Sequence, residues 1–253
     1  FLSAGPLGGT LLTLNTRPIL SGVLLGLLTY KPHLGLLFPI VLAASGHWRT
    51  FITAGIVAAL TALASWMALG GDTWAAFFAS IAHTSHAFLG EGWADFGKLQ
   101  TAFGLVRTLG GSEPLAWVVQ SALALAVIAA VVIVWRSEAV YELKAAALAT
   151  GALLATPYLY TYDLVVLAVP LAFLWRLGRE RGYLPHELTG IGVASLLVLI
   201  FPFVKAPVGF AAVMVVAALI ARRFRQTVLP IATRAEPFRT FQFGTGTFVL
   251  LIC

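Results

Sequence analysis

Apolar positions along this chain come in blocks, at about 1–14, 18–30, 34–46, 51–70, 114–135, 145–157, 163–175, 188–203 and 207–221. Blocks of this kind, almost free of charge, predict membrane helices, because a helix satisfies its own backbone in hydrocarbon. Crossing the hydrocarbon core takes about 20 residues, and several blocks fall short of that. The short ones are expected to thin the bilayer, or to stop part-way where protein or water receives them. The fold class expected is all-α: a polytopic transmembrane helix bundle forming one domain over residues 1–225. It should hold about eight or nine helices. Residues 226–253, which include "LPIATRAEPFRTFQFGTGTFVLLIC", match no earlier pattern and are read as a disordered or aberrant tail. The amino end opens inside apolar sequence, "FLSAGPLGGTLLTLN", and is read as following upstream helices.

The long stretch 71–113 breaks the block pattern. "WAAFFASI" sets Trp74, Phe77, Phe78 and Ile81 on one helical face. "KLQTAFGLV" repeats the spacing with Leu99, Phe103 and Val106. Both predict short interfacial helices with the apolar face toward the membrane. Between them lies the glycine-rich turn "LGEGWADFG". A loop this long with helices of its own is often functional.

Composition agrees with a membrane protein: 60% hydrophobic and only 10% charged residues are too little charge to cover a soluble domain. Charge adds orientation. If every block crosses, ten basic residues fall on one side: Arg17, Arg49, Arg136, Lys144, Arg176, Arg179, Arg181, Arg222, Arg223 and Arg225. Four fall on the other: Lys31, Lys98, Arg107 and Lys205. Arg234 and Arg239 belong to the tail. The asymmetry places the arginine-rich side in the cytoplasm. The net charge of +6 is therefore a topology signal, and no basic stripe interleaved with aromatics points to nucleic acid. The sole cysteine, Cys253, excludes an internal disulfide and a multi-cysteine metal site.

The outer side carries the candidate chemistry. "LLTYKPHLGLLFP" puts Lys31, Pro32 and His33 inside an apolar run. A lysine at the bilayer centre costs about 2.5–3.5 kcal/mol on insertion scales, though near a helix end it can snorkel to the interface. The functional reading is an anion site, with Lys31 facing a phosphate, His33 beside it, and Pro32 breaking the helix to free backbone groups. The second cluster is "ATPYLYTYDLVVL", with Tyr158, Tyr160, Tyr162 and Asp163. It reads either as an aromatic belt with an aspartate at a helix amino end, or as a carbohydrate or phosphate pocket. In the pocket reading Asp163 binds sugar hydroxyls or fixes Lys31 or His33. Lys98 and Gln100 are candidate loop contacts, with solvated surface as the plainer reading. His83 and His86 are i, i+3 on a helix and read as interfacial rather than metal-binding, and no metal is expected. No Walker loop, dinucleotide fingerprint or nucleophile elbow occurs, so ATP-driven pumping and nucleotide-sugar chemistry find no support.

Taken together, "LTYKPHLGLLFPIVLAASGHWRTF", "GKLQTAFGLVRTLGG" and "LLATPYLYTYDLVVLAVPLAFL" resemble glycosyltransferase family 87, over about residues 1–225. The family comprises membrane-embedded transferases of the kind that use polyprenyl-phosphate sugars, among them actinobacterial mannosyltransferases. This chain looks more like the proteobacterial members. The resemblance implies a C-type glycosyltransferase fold in a bacterial inner (plasma) membrane, working on the periplasmic face as a hexosyltransferase, mannosyltransferase-like. It implies a polyprenyl-phosphate sugar donor, a lipid or glycan acceptor, membrane lipids around the bundle, and no cofactor. Lys31, with His33, matches the family's Lys-Pro motif and is expected to bind the donor phosphate. The family's catalytic base is an acidic residue on the first outer loop. No residue here matches it, so no catalytic residue is assigned and this stretch is expected to lack the base. Tyr162 and Asp163 stand where actinobacterial relatives tend to carry paired histidines, which leaves sugar and acceptor open. The competing class is a transporter or flippase for an anionic lipid or sugar substrate, which predicts related halves and polar inner helix ends. No repeat is found, and the inner ends read as apolar.

Overall fold

Prolines set where the helices break. Pro18 opens α2 (Pro18–Leu27) at the position where a missing N–H costs nothing. α2 follows α1 (Ala4–Thr13), and it tightens into a 3-10 turn at Leu28–Tyr30. Pro32 then opens α3 (Pro32–Gly35), with Lys31 held outside both helices in a non-helical conformation. Pro39 cannot donate to Gly35, and its ring crowds that carbonyl; α3 accordingly ends at Gly35 and α4 (Leu37–Ala44) starts afresh. Pro170 does the same to Val166. A 3-10 stretch over Thr161–Leu167 precedes α10 (Ala168–Arg181).

The structure, a computed structural model, describes residues 2–93, 95–200, 203–204, 206–227, 242–243 and 246–247. Lys205, Arg234, Arg239, Cys253 and nearly all of the tail lie outside the described residues, as does the side chain of His86. The remaining helices are α5 (Trp48–Leu69), α6 (Gly71–Ser85), α7 (Ala102–Thr108), α8 (Glu113–Arg136), α9 (Tyr141–Ala155), α11 (Glu187–Ile200) and α12 (Val208–Thr227). Residues 242–243 and 246–247 pair as a two-residue antiparallel ladder. The protein is an all-α membrane bundle. Among the described residues, Trp48–Leu69, Glu113–Arg136 and Thr161–Arg181 are long and apolar enough to span a membrane. Pro18–Tyr30, Pro32–Ala44 and Glu187–Ile200 are shorter apolar helices.

α9 is the axis. Leu143 and every residue from Ala145 to Leu154 are buried, and α4, α8, α10 and α12 pack around it. Its alanines and Gly151 let neighbours approach closely, which is how helices associate where lipid removes the hydrophobic drive. α1, α2 and α5 form a flank on one side, and α11 with α12 close the other. Chain reversals collect at two ends. Asn15, His47, Arg136 and Lys144 meet at one; Lys31, Gln100, Tyr160 and Asp163 lie toward the other.

The seam between α2 and α5 rests on Gly22 and Gly26, one turn apart. A Cβ on Gly22 would stand 2.5 Å from Thr53 Cβ, and one on Gly26 would stand 2.6 Å from Val57 Cβ and 2.9 Å from the Ala54 carbonyl. Backbone contacts of that kind cannot yield by rotamer change. Gly26→Val is expected to destabilise the bundle by about 1–3 kcal/mol, the usual cost of overpacking. Gly192→Ala, with open space at the Cβ position, is the control that should not. Thermal unfolding in detergent reads the difference.

Candidate functional site

The break at Lys31–Pro32 and the 3-10 turn at Thr161 bring two distant segments together. The Lys31 ammonium donates to the Asp163 carboxylate. Asp163 is 1% exposed at its side chain and Lys31 22%, so the pair is anchored in protein and open at one edge. Asp163 is held from its own turn as well. The Tyr160 N–H donates to Asp163 Oδ2 at 3.4 Å, and the Asp163 N–H donates to the Tyr160 carbonyl at 2.9 Å. The carboxylate thus makes only the return half of a capping box. His33 Nε2 lies 3.9 Å from Asp163 Oδ2 and is buried without a hydrogen-bond partner. The ammonium also sits over the Tyr162 ring, 4.6 Å from its centroid, and Tyr162 stacks on Tyr160 at 5.8 Å and 9°. Tyr162 is two-thirds exposed.

Five of the sequence candidates thus converge: Lys31, His33, Tyr160, Tyr162 and Asp163. Lys31 does not simply snorkel into solvent. Tyr158 packs nearby, against the small cluster of Leu89, Leu99, Phe103 and Ala116. The Tyr160 hydroxyl is buried without a partner. Burial, and then Tyr162 and Tyr158, raise its pKa above the usual phenol value, so it stays a neutral donor.

An apolar groove of about 300 Å³ reaches the helix break at Pro32, though none of the five cluster residues lines it. Leu28, Thr29 and Pro32 border it at the Lys31 break, and Leu36, Pro39, Phe51, Ala54 and Ala58 line its length between α3, α4 and α5. The groove owes its existence to the two prolines. A continuous helix from residue 18 to 44 would have no break through which to open.

The outer loop differs from expectation in two respects. Gln100 is no solvated contact: it is 1% exposed, its Oε1 accepts from the Gly209 N–H at 2.7 Å, and its Nε2 donates to the Gly97 carbonyl at 2.9 Å. Its N–H donates to the Leu159 carbonyl at 2.7 Å, beside a bridge between Leu99 and Tyr160. Gln100 is the clasp that ties loop, tyrosine turn and α12 together. Lys98 remains exposed. Second, α7 does not lie apolar-face-down on lipid. Leu99 and Phe103 are buried against Leu89 and Ala116, with Trp117 edge-on to Phe103 at 5.1 Å, so the loop caps α8. α6 keeps the expected character, with Phe77, Phe78 and Ile81 left uncovered by protein.

The opposite end also departs from expectation. The inner helix ends are not apolar throughout: Asn15, Ser45, His47, Arg136, Tyr141 and Lys144 line a polar hollow there. The periodicity of the blocks hid it, because the residues come from three reversals far apart in the chain. The only signal was a polar residue at every inner reversal. Between the two ends the core is apolar, with Leu34, Leu37, Phe38, Val41, Leu148 and Leu153 buried.

The model of glycosyltransferase family 87 matches residues 1–157. That span takes in Lys31, His33, Lys98 and Gln100 and stops just before the tyrosine turn. No curated protein and no solved structure matches.

Proposed function

The chain belongs to glycosyltransferase family 87, and from that premise we propose that it transfers a mannose-like hexose from a polyprenyl-phosphate donor to a lipid or glycan acceptor, on the outer, periplasmic face of a bacterial inner membrane. The observation that carries the reading is the Lys31–Asp163 pair, at a helix break whose next residue, Pro32, lines an apolar groove. The groove suits a prenyl chain, which is apolar along its whole length. The ammonium at the break suits the phosphate that joins chain to sugar. As the sugar departs, negative charge grows on that phosphate. A partly desolvated, fixed ammonium stabilises it more than water would, because the donor needs no reorganisation. Asp163 consumes one of the three N–H donors of Lys31 and holds the other two in place. His33 Nε2, buried and unpartnered, supplies a second polar contact. Tyr162, two-thirds exposed, supplies aromatic and hydroxyl contacts to the sugar.

Purified protein given a radiolabelled polyprenyl-phosphate mannose and membrane-extract acceptors should yield labelled product, and Lys31→Ala should lose it. Reconstituted vesicles that move an anionic substrate across the bilayer and transfer no sugar would sink the proposal in favour of a transporter.

A further inference from the structure

The polar hollow at the arginine-rich end is built from three separate reversals and has a volume of about 460 Å³. Asn15 comes from the turn between α1 and α2, Ser45 and His47 from the turn before α5, Trp135 and Arg136 from the end of α8, and Tyr141 and Lys144 from the start of α9. The scaffold is fixed by hydrogen bonds. Ser45 Oγ lies 2.8 Å from His47 Nδ1, and His47 Nε2 lies 3.4 Å from Asn15 Oδ1. Trp135 Nε1 donates to the Lys144 carbonyl at 2.8 Å and stands edge-on to both His47 and Tyr141. The Tyr141 hydroxyl donates to the Leu11 carbonyl.

The charges in this hollow do not balance. Arg136 and Lys144 line it, and no carboxylate does. Among the described ion pairs neither cation has a partner, while the nearby Glu142 faces Arg176 at 3.9 Å. α5 and α9 both point their amino ends here, and neither has a side-chain cap. The first turn of α5 holds no acidic residue. Unpaired cations and the positive end of α5 add in the same sense, while the first turn of α9 carries Glu142. His47 registers the field: burial first, and Lys144 second, hold its pKa below the usual value.

We propose that this hollow is a binding site for a phosphate-bearing anion, held by Lys144 and Arg136 with His47 and Asn15 as polar contacts, at the end of the bundle opposite the Lys31–Asp163 cluster. The chemistry is that of a compact dianion or a phosphodiester headgroup. Lys144 supplies a point charge and Arg136 a planar fork, the combination that grips phosphate oxygens. Because the hollow lies at the bundle end, the anion arrives either from the aqueous phase or as the headgroup of a lipid in that leaflet. The site does not depend on the transfer reaction.

The test uses the full chain in phosphatidylcholine nanodiscs, with two probes. Inorganic pyrophosphate is titrated while thermal unfolding is followed, and phosphatidylglycerol retention is measured by native mass spectrometry. Saturable stabilisation by pyrophosphate assigns a soluble anion; saturable retention of phosphatidylglycerol assigns a headgroup. In either case Lys144→Gln with Arg136→Gln should weaken binding by about tenfold or more, as expected for loss of charge-assisted contacts. Arg136→Gln alone, an exposed position that leaves the packing intact, should give a smaller loss in the same direction. Arg179→Gln, an exposed arginine that does not line the hollow, should leave binding unchanged. The proposal is overturned if neither probe binds saturably, or if binding survives in both the double and the single variant.

Discussion

The double variant Lys31→Met/Asp163→Asn is expected to unfold near the wild-type temperature and to transfer no sugar. Each single change should cost both stability and activity. The reasoning turns on what each substitution leaves behind. Lys31→Met strands a carboxylate that is 1% exposed, with the Tyr160 N–H as its remaining described donor. Asp163→Asn strands an ammonium that is three-quarters covered. Breaking a buried pair from one side costs about 3–5 kcal/mol, whereas replacing both partners is often neutral. Lys31 keeps some water, so its stranding falls at the lower end. The amide introduced by Asp163→Asn retains an oxygen for the Tyr160 N–H, so the turn keeps its shape. If the ion pair serves only as a bolt between the α2–α3 break and the tyrosine turn, the double variant should work. If the ammonium meets the donor phosphate, the double variant folds and is dead. Unfolding in detergent, alongside transfer from a labelled polyprenyl-phosphate sugar, separates the two. Wild-type transfer by the double variant would remove Lys31 from the chemistry.

How much of this was legible beforehand depends on the range of the interaction. The helix blocks, the break at Pro32 and the placement of Lys31 and Asp163 toward one end of the bundle follow from local pattern: hydropathy over a window and the missing N–H of proline. The meeting of Lys31 with Asp163 was one of the roles open to the aspartate, but local pattern could not choose it, since 132 positions separate the two. Gln100 was misread for the same reason in reverse. A glutamine in a loop looks solvated, and nothing local says that the Gly209 N–H, 109 positions on, will claim its oxygen. α7 illustrates a further limit: a helical apolar face announces that it will be covered, not whether lipid or protein covers it. The spacing of Leu99 and Phe103 is identical under either outcome.

Gln100→Leu is expected to loosen the outer loop from the bundle and to depress transfer strongly. The side chain is close to isosteric, so packing is kept and only hydrogen bonds are lost. Two groups then lose their partner: the Gly209 N–H at the start of α12 and the Gly97 carbonyl before the loop's last turn. Each buried polar group left unsatisfied costs about 1–3 kcal/mol. The loss is local, because the backbone bond from the Gln100 N–H to the Leu159 carbonyl does not depend on the side chain. The loop should therefore open more often while the bundle stays folded. Lys98 provides the readout. It is exposed and two residues away, and its own N–H is tied to the Asp95 carbonyl at 3.0 Å, so trypsin must wait for local opening. When opening is fast relative to cleavage, the rate follows the open population, and about 2 kcal/mol raises it by roughly 30-fold. Faster cutting at Lys98, with an unchanged unfolding temperature for the remaining bundle, is the expected pattern. Gln100→Glu should open the loop at least as often, because its carboxylate is buried and sets an oxygen against the Gly97 carbonyl. Equal cleavage rates in all three proteins would mean that the loop is held by the Leu99, Phe103 and Ala116 cluster alone. The tyrosine turn would then keep its position without the clasp.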